Sequence, residues 1–197
     1  MQQQISLPYK GGCRITNLYG AAAPAGVKYN TGRHEGLDLV GLGSKLIYAC
    51  EGGTVVTVAY DRPGFGHFVV IKGNSGLYYF YCHLRFASTL KTGQSIATGA
   101  LIGTEGATGQ AHGAHLHLEI RRSRYDRSRT VDPCHVLKIE PKIGEVEKIE
   151  EYTDAKSSLE DLTQKDIIDS PEYWLKACEV VKNLDKLIIK LTNEILQ

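Results

Sequence analysis

The sequence predicts a mostly β protein, an antiparallel sheet folded on itself as a sandwich or open barrel, followed by a C-terminal helical segment. Three observations predict it. Up to residue 137 the apolar runs are short, of strand length, and rich in β-branched and aromatic residues. Glycine is dense among them and turn signals recur. After residue 137 the composition turns to Lys, Glu and Asp, and the chain closes on a seven-residue apolar repeat.

In chain order, strands are expected at Leu46 to Ala49, Thr54 to Ala59, Phe68 to Ile71, Leu77 to Tyr81 and Leu116 to Ile120. Pro63-Gly64 and Asn74-Ser75-Gly76 fall between strands and read as turns. Gly93, Gly99, Gly103, Gly106 and Gly109 break the next segment into very short strands and loops. No helix-period stretch stands out before residue 137. Residues 138–169, with Pro141 and Gly144 near their start, read as a charged, solvated linker. Residues 170–197 read as an amphipathic helix. Ser170 is its cap, Pro171 its first helical residue and Glu172 an early acid. Trp174, Val181, Ile188 and Ile195 are seven apart, with Ala177, Leu184 and Leu191 between them. Such a helix docks on its own domain, self-associates as a coiled coil, or serves to target the wall or dock a partner. The expected organisation is therefore a domain over 1–137, a linker over 138–169 and a helix over 170–197.

Charge divides the same way. Residues 1–137 carry 14 Lys/Arg against 8 Asp/Glu, whereas residues 138–197 carry 9 against 14. A basic domain suits an anionic polymer. Arg121, Arg122, Arg124, Arg127 and Arg129 cluster, but no nucleic-acid motif accompanies them, so no nucleic-acid partner is expected. No apolar run reaches about 18 residues, so no membrane span is expected. The first residues show no charged region followed by an apolar one, so no secretory leader is expected either. The five cysteines, Cys13, Cys50, Cys82, Cys134 and Cys178, are odd in number and lack metal-ligand spacing; they read as buried thiols.

The histidines carry the chemistry. His34-Glu35-Gly36-Leu37-Asp38 sets an imidazole and a carboxylate four residues apart, with Gly36 allowing a tight backbone path. In His115-Leu116-His117 the two imidazoles share one face of a strand while Leu116 and Leu118 point to the core. His83 closes the aromatic run Tyr78-Tyr79-Phe80-Tyr81-Cys82. Each segment alone is also compatible with ordinary surface or strand-end histidines. Together, His34, Asp38 and His117 supply two nitrogens and an oxygen to one zinc ion per chain, leaving a fourth tetrahedral position for water. Zinc lowers that water's pKa to roughly 7 and so makes a nucleophile. His83 and His115 then stand where protons move and negative charge develops.

Residues 10–135 resemble the lysostaphin-type, or LytM-like, peptidoglycan endopeptidases. The resemblance runs in order through Arg14 to Gly20, His34-Glu35-Gly36-Leu37-Asp38, Tyr48 to Val55, Gly64 to Ile71, Tyr81-Cys82-His83-Leu84, Gly106-Ala107-Thr108-Gly109, His115-Leu116-His117-Leu118-Glu119 and Val131-Asp132-Pro133. It implies metal ligands at His34, Asp38 and His117 and catalytic histidines at His83 and His115, with all five positions filled. His67 stands where an Asn is common and Ala114 where a Pro is common. Some members use a tyrosine upstream of the first ligand, and Tyr29 is one residue out of that register. His112 and His135 read as loop and strand-end residues.

The function expected is a zinc endopeptidase that hydrolyses stem peptides or cross-links of peptidoglycan at the extracellular or periplasmic face of the wall. A phage-encoded lysin, or export by another route, accords with the missing leader. The alternative is a non-catalytic peptidoglycan-binding or hydrolase-activating module of the same fold.

Overall fold

The computed structural model describes residues 5–23, 29, 31–146 and 189–190. The chain divides into two compact units, Met1–Glu147 and Lys148–Gln197. In the second, residues 189–190 are helical, and the rest of the expected C-terminal helix, with its heptads and Cys178, lies outside the described residues. Among the described residues no helix is long and apolar enough to cross a membrane.

The first unit is built from β1 (Cys13–Asn17), β2 (Leu37–Gly41), β3 (Leu46–Tyr48), β4 (Gly53–Asp61), β5 (Gly66–Gly73), β6 (Tyr78–Leu84), β7 (Ser95–Ile96), β8 (Leu101–Thr104), β9 (Leu116–Arg121), β10 (Thr130–Val131), α1 (Pro133–Leu137) and β11 (Gly144–Glu145). The main sheet runs β11-β1-β2-β9-β6-β5-β4-β7, with β10 also on β9, and every pairing is antiparallel. Its ends do not meet, so the sheet is open. β3 and β8 form a separate two-stranded sheet.

The five strands expected from apolar runs are β3, β4, β5, β6 and β9, and both expected turns join β4 to β5 and β5 to β6. At the second turn Gly76 has φ +86, a left-handed conformation suited to glycine, and Gly76 N–H donates to Gly73 O. The helix α1 is too short to show a period. Asp132 caps it by accepting from Cys134 N–H, and Pro133 opens it. His135 therefore lies in a helix, not at a strand end.

Alternation gives the sheet two unlike faces. Leu37, Leu39, Val55, Val69, Ile71, Tyr79, Tyr81, Leu116, Leu118 and Ile120 meet in one core. Ile47 of β3, Ile102 of β8, and Cys134 and Leu137 of α1 close it from the other side. The opposite face carries a smaller cluster of Val70, Phe80 and Cys82 with Phe65 and Phe68 packed on it. Ile139 is fully buried in the main core, and β11 pairs with β1 through Arg14↔Glu145 and Ile15↔Gly144. The packed unit thus continues beyond residue 137 into the segment that reads as linker. Cys13, Cys50, Cys82 and Cys134 are buried and free.

Candidate metal centre

β9 is the axis of the site. With Leu116, Leu118 and Ile120 committed to the core, alternation sends His117, Glu119 and Arg121 to the opposite face. Asp38 of β2 stands directly across from His117 on one side, and Cys82 of β6 on the other. His34 precedes β2 in a segment held by His34 N–H to Ala21 O and Gly20 N–H to His34 O, both 2.9 Å.

Three atoms converge here. His34 Nε2 is 3.0 Å from His117 Nδ1 and 3.1 Å from Asp38 Oδ1, and His117 Nδ1 is 2.8 Å from the same oxygen. A tetrahedral ion with arms of about 2.0 Å needs ligand atoms roughly 3.3 Å apart, so a small outward relaxation seats one. The backs of both rings are engaged. His34 Nδ1 lies 2.8 Å from Leu18 O, and a carbonyl can only accept, so that nitrogen carries the proton. His117 Nε2 lies 3.0 Å from Glu119 Oε1. With an ion bound, each ring would turn the lone pair of its other nitrogen to that ion, as metal-binding imidazoles do. Two imidazoles, one carboxylate and no thiolate fit zinc.

Gly36 explains the spacing of the first motif. Its φ is not in the left-handed region. A Cβ there would lie 2.6 Å from Leu118 O, 2.8 Å from His117 Cε1 and 2.9 Å from Glu119 Cγ. Glycine lets this loop lie directly on β9, so that His34 and Asp38 reach the same point as His117.

His83 arrives by a local distortion. Period-two alternation in β6 would place it with Tyr79 and Tyr81 on the core face. Instead its φ is +61, the β5–β6 register shifts there, and the ring turns to the site face, while Leu84 returns to the core. His83 Nδ1 donates to Thr108 O at 2.8 Å, and His115 Nδ1 to Gly113 O at 2.9 Å. In their neutral forms both rings keep a free Nε2 lone pair. The His83 ring centroid is 4.9 Å from that of His115 and 5.7 Å from that of His117, and His115 Nε2 is 3.6 Å from Asp38 Oδ1. All five expected site residues are brought together.

The electrostatics follow from this crowding. Burial opposes ionisation of Asp38, but hydrogen bonds and charge from His117 and His34 outweigh it and hold the carboxyl far below the usual range. Burial likewise pulls His117 down, but its bonds to Asp38 and Glu119 prevail and raise it to about 10. Burial, then the charges of His117 and His115, lower His83 to about 4, so it is neutral at physiological pH. Glu119 is pushed up by burial and drawn down further by His117 and Arg121, ending below the ordinary carboxylate value.

These groups floor a cleft of about 600 Å³ whose walls include Asn17, Tyr29, Phe65, Gln110 and Arg127. The Tyr29 ring lies 5.3 Å from that of His34, and its hydroxyl is raised by burial. His112 lines the rim; His67 packs on Tyr60, 4.6 Å between centroids. The arginine cluster is not one surface. Arg121 is buried against Glu119, Arg124 donates to Thr57, and Arg127 covers Phe65. Glu119 falls in the His115 to Glu119 run and Arg121 in the arginine cluster, but their roles, like Gly36's steric one, escape a search by motif, although alternation from His117 through Glu119 to Arg121 is visible in the sequence.

An open antiparallel sheet that gathers two imidazoles and a carboxylate at one point, with two more imidazoles facing the same cleft, is the architecture of a metallopeptidase domain. Residues 32–133, just over half the chain, match peptidase family M23, and the chain belongs to that family. The cell division protein DipM of Caulobacter vibrioides is 31% identical over 114 residues, 57% of this chain and 19% of DipM. The peptidoglycan DD-endopeptidase ShyC of Vibrio cholerae serotype O1 is 30% identical over 130 residues, 61% of this chain and 30% of ShyC. The chain spans about a fifth to a third of the length of the curated relatives it matches. Among solved structures, the catalytic domain of the antimicrobial peptidase lysostaphin from Staphylococcus simulans is similar, with a TM-score of 0.57 and 28% identity over 64% of this chain and 92% of that one. A zinc containing peptidase from Vibrio cholerae gives a TM-score of 0.56 and 28% identity, covering 72% of this chain and 41% of that one.

Proposed function

We infer that the first unit is a zinc-dependent endopeptidase acting on stem peptides or cross-links of peptidoglycan at the cell wall. The observation that carries this is the convergence of His34 Nε2, Asp38 Oδ1 and His117 Nδ1 at the floor of a cleft that His83 and His115 also face. Zinc, when bound there, polarises a peptide carbonyl and activates water. The chain supplies the rest. His34, Asp38 and His117 hold the ion. His83, neutral and fixed through Thr108, offers Nε2 to take a proton from the attacking water. His115, fixed through Gly113, offers a second Nε2 on the same side to hand a proton to the leaving amine. Tyr29, beside His34 on the cleft wall, assists near the substrate in this reading. Similarity to a peptidoglycan DD-endopeptidase and to the lysostaphin catalytic domain supports the substrate class.

The test separates metal holding from proton transfer. Purified protein is expected to carry about one zinc per chain and to solubilise peptidoglycan, with chelation abolishing digestion until zinc is restored. His117→Ala loses both zinc and digestion. His83→Ala keeps zinc and slows turnover by roughly 10²–10⁴-fold. Wild-type digestion that persists after complete removal of zinc refutes the reading.

A further inference from the structure

Behind His117 lies a buried polar pair. Glu119 and Arg121 are 1% and 2% exposed. They follow His117 at every second residue along one face of β9. Glu119 Oε1 faces His117 Nε2 at 3.0 Å, and Glu119 Oε2 accepts from Arg121 Nε at 2.7 Å and also from Arg121 Nη2. The Arg121 guanidinium stacks 4.0 Å over the Phe80 ring, which fixes its plane.

This chain has a direction. A guanidinium can only donate, so it claims an acceptor on Glu119; a carboxylate can only accept, so its other oxygen demands a proton on His117 Nε2. A neutral imidazole with its proton on Nε2 has its lone pair on Nδ1, the atom that faces Asp38 and His34. We propose that Arg121 and Glu119 are positioning residues that fix the His117 tautomer, so that Nδ1 is free to bind the metal. The proposal rests on the metal reading above.

Glu119→Gln exposes this role because it preserves shape and reverses polarity. Arg121 claims the amide oxygen, so the amide NH₂ turns toward His117 Nε2. That nitrogen must then accept, and the imidazole proton moves to Nδ1, where it competes with the metal. Adding Arg121→Gln releases the constraint. A glutamine reaches about as far as the Arg121 Nε and can present oxygen or nitrogen, so Gln at 119 is free to return its oxygen to His117. Both groups are then neutral, so neither leaves an unpaired buried charge.

The experiment measures zinc dissociation constants by competition with a chromophoric chelator for the wild type, E119Q, and E119Q/R121Q. Near-ultraviolet circular dichroism of the metal-free proteins serves as the check on folding. E119Q is expected to bind zinc 10- to 100-fold more weakly, and the double variant to recover to within about threefold of wild type. Zinc-loaded wild type should also show a slowly exchanging His117 Nε2–H signal by NMR that E119Q lacks. A merely structural pair gives losses that accumulate in the double variant. Wild-type affinity in E119Q, or no recovery in E119Q/R121Q, overturns the tautomer proposal and leaves the metal site standing. A wild-type protein that holds no zinc overturns the metal reading, and this proposal with it.

Discussion

Gly36→Ala isolates the steric half of the proposed metal site. The added methyl would sit 2.8 Å from His117 Cε1 and 2.6 Å from Leu118 O, where ordinary contact begins at 3.4 Å. The Leu118 carbonyl belongs to the β2–β9 ladder and cannot yield cheaply. The His34–Asp38 loop must therefore shift by about 0.8 Å to clear that carbonyl, and the His117 ring stands about 0.6 Å too close until it does. Zinc coordination tolerates only about 0.2 Å of error in ligand distance, so affinity is expected to fall at least about tenfold. Overpacking of this kind costs about 1–3 kcal/mol, or roughly 3–12 °C in Tm for a domain of this size. Because Gly36 is not in a left-handed conformation, no backbone penalty adds to this figure. The assay is a zinc titration alongside thermal melts with and without zinc. The zinc-dependent rise in Tm should shrink more than the metal-free Tm itself. Gly36→Ala with wild-type zinc affinity would refute the claim that this glycine exists to let the loop lie on β9.

Other outcomes follow from burial and charge. In the metal-free protein His117 is raised from 6.5 to about 10, so its contribution to stability is complete below pH 6.5 and is lost as pH rises through about 10. The Tm difference between chelated wild type and His117→Leu should therefore narrow across that window, and a constant difference contradicts it. Ile139 is fully buried, so Ile139→Ala should destabilise the first unit by about 2–5 kcal/mol in denaturant melts. A chain ending at residue 146 keeps Ile139 and β11 and should fold and digest peptidoglycan, whereas one ending at residue 137 should melt well below it; equal melting of the two would show that this segment adds nothing.

Several parts of this fold are legible because a physical period exposes them. In β9 the core takes Leu116, Leu118 and Ile120, so His117 must face the other way. β4, β5 and β6 are long enough for their apolar content to mark them. β1 and β2 are five residues each and carry charged or polar residues on the site face, so they show as motif segments before they show as strands. β11 leaves no trace in composition: two residues of a charged segment pair through the backbone, and side-chain pattern says nothing about that. Ile139 looks like one apolar residue in a linker until α1 turns the chain back over the core.

The remaining surprises fall where local rules and the site's geometry conflict. Alternation assigns His83 to the core side of β6; only a left-handed residue, at about 1–3 kcal/mol, turns it into the cleft. Burial rules disfavour an arginine and a glutamate on the face of a sheet, yet both are covered and paired behind His117. The motif spacing of His34, Gly36 and Asp38 suggests conformational freedom at the glycine, while the structure shows it serving close approach. Each departure costs stability locally and contributes nothing to the main core. Each also acts on the same few ångströms around His117: one ring aimed into the cleft beside it, one polar chain fixing its far nitrogen, one missing side chain admitting the other two ligands. Exceptions that scatter over a fold signal only tolerance. Exceptions that converge on one imidazole indicate that the fold has been shaped to hold that imidazole, which is why the proposed function rests on the candidate metal centre and not on the arginine cluster.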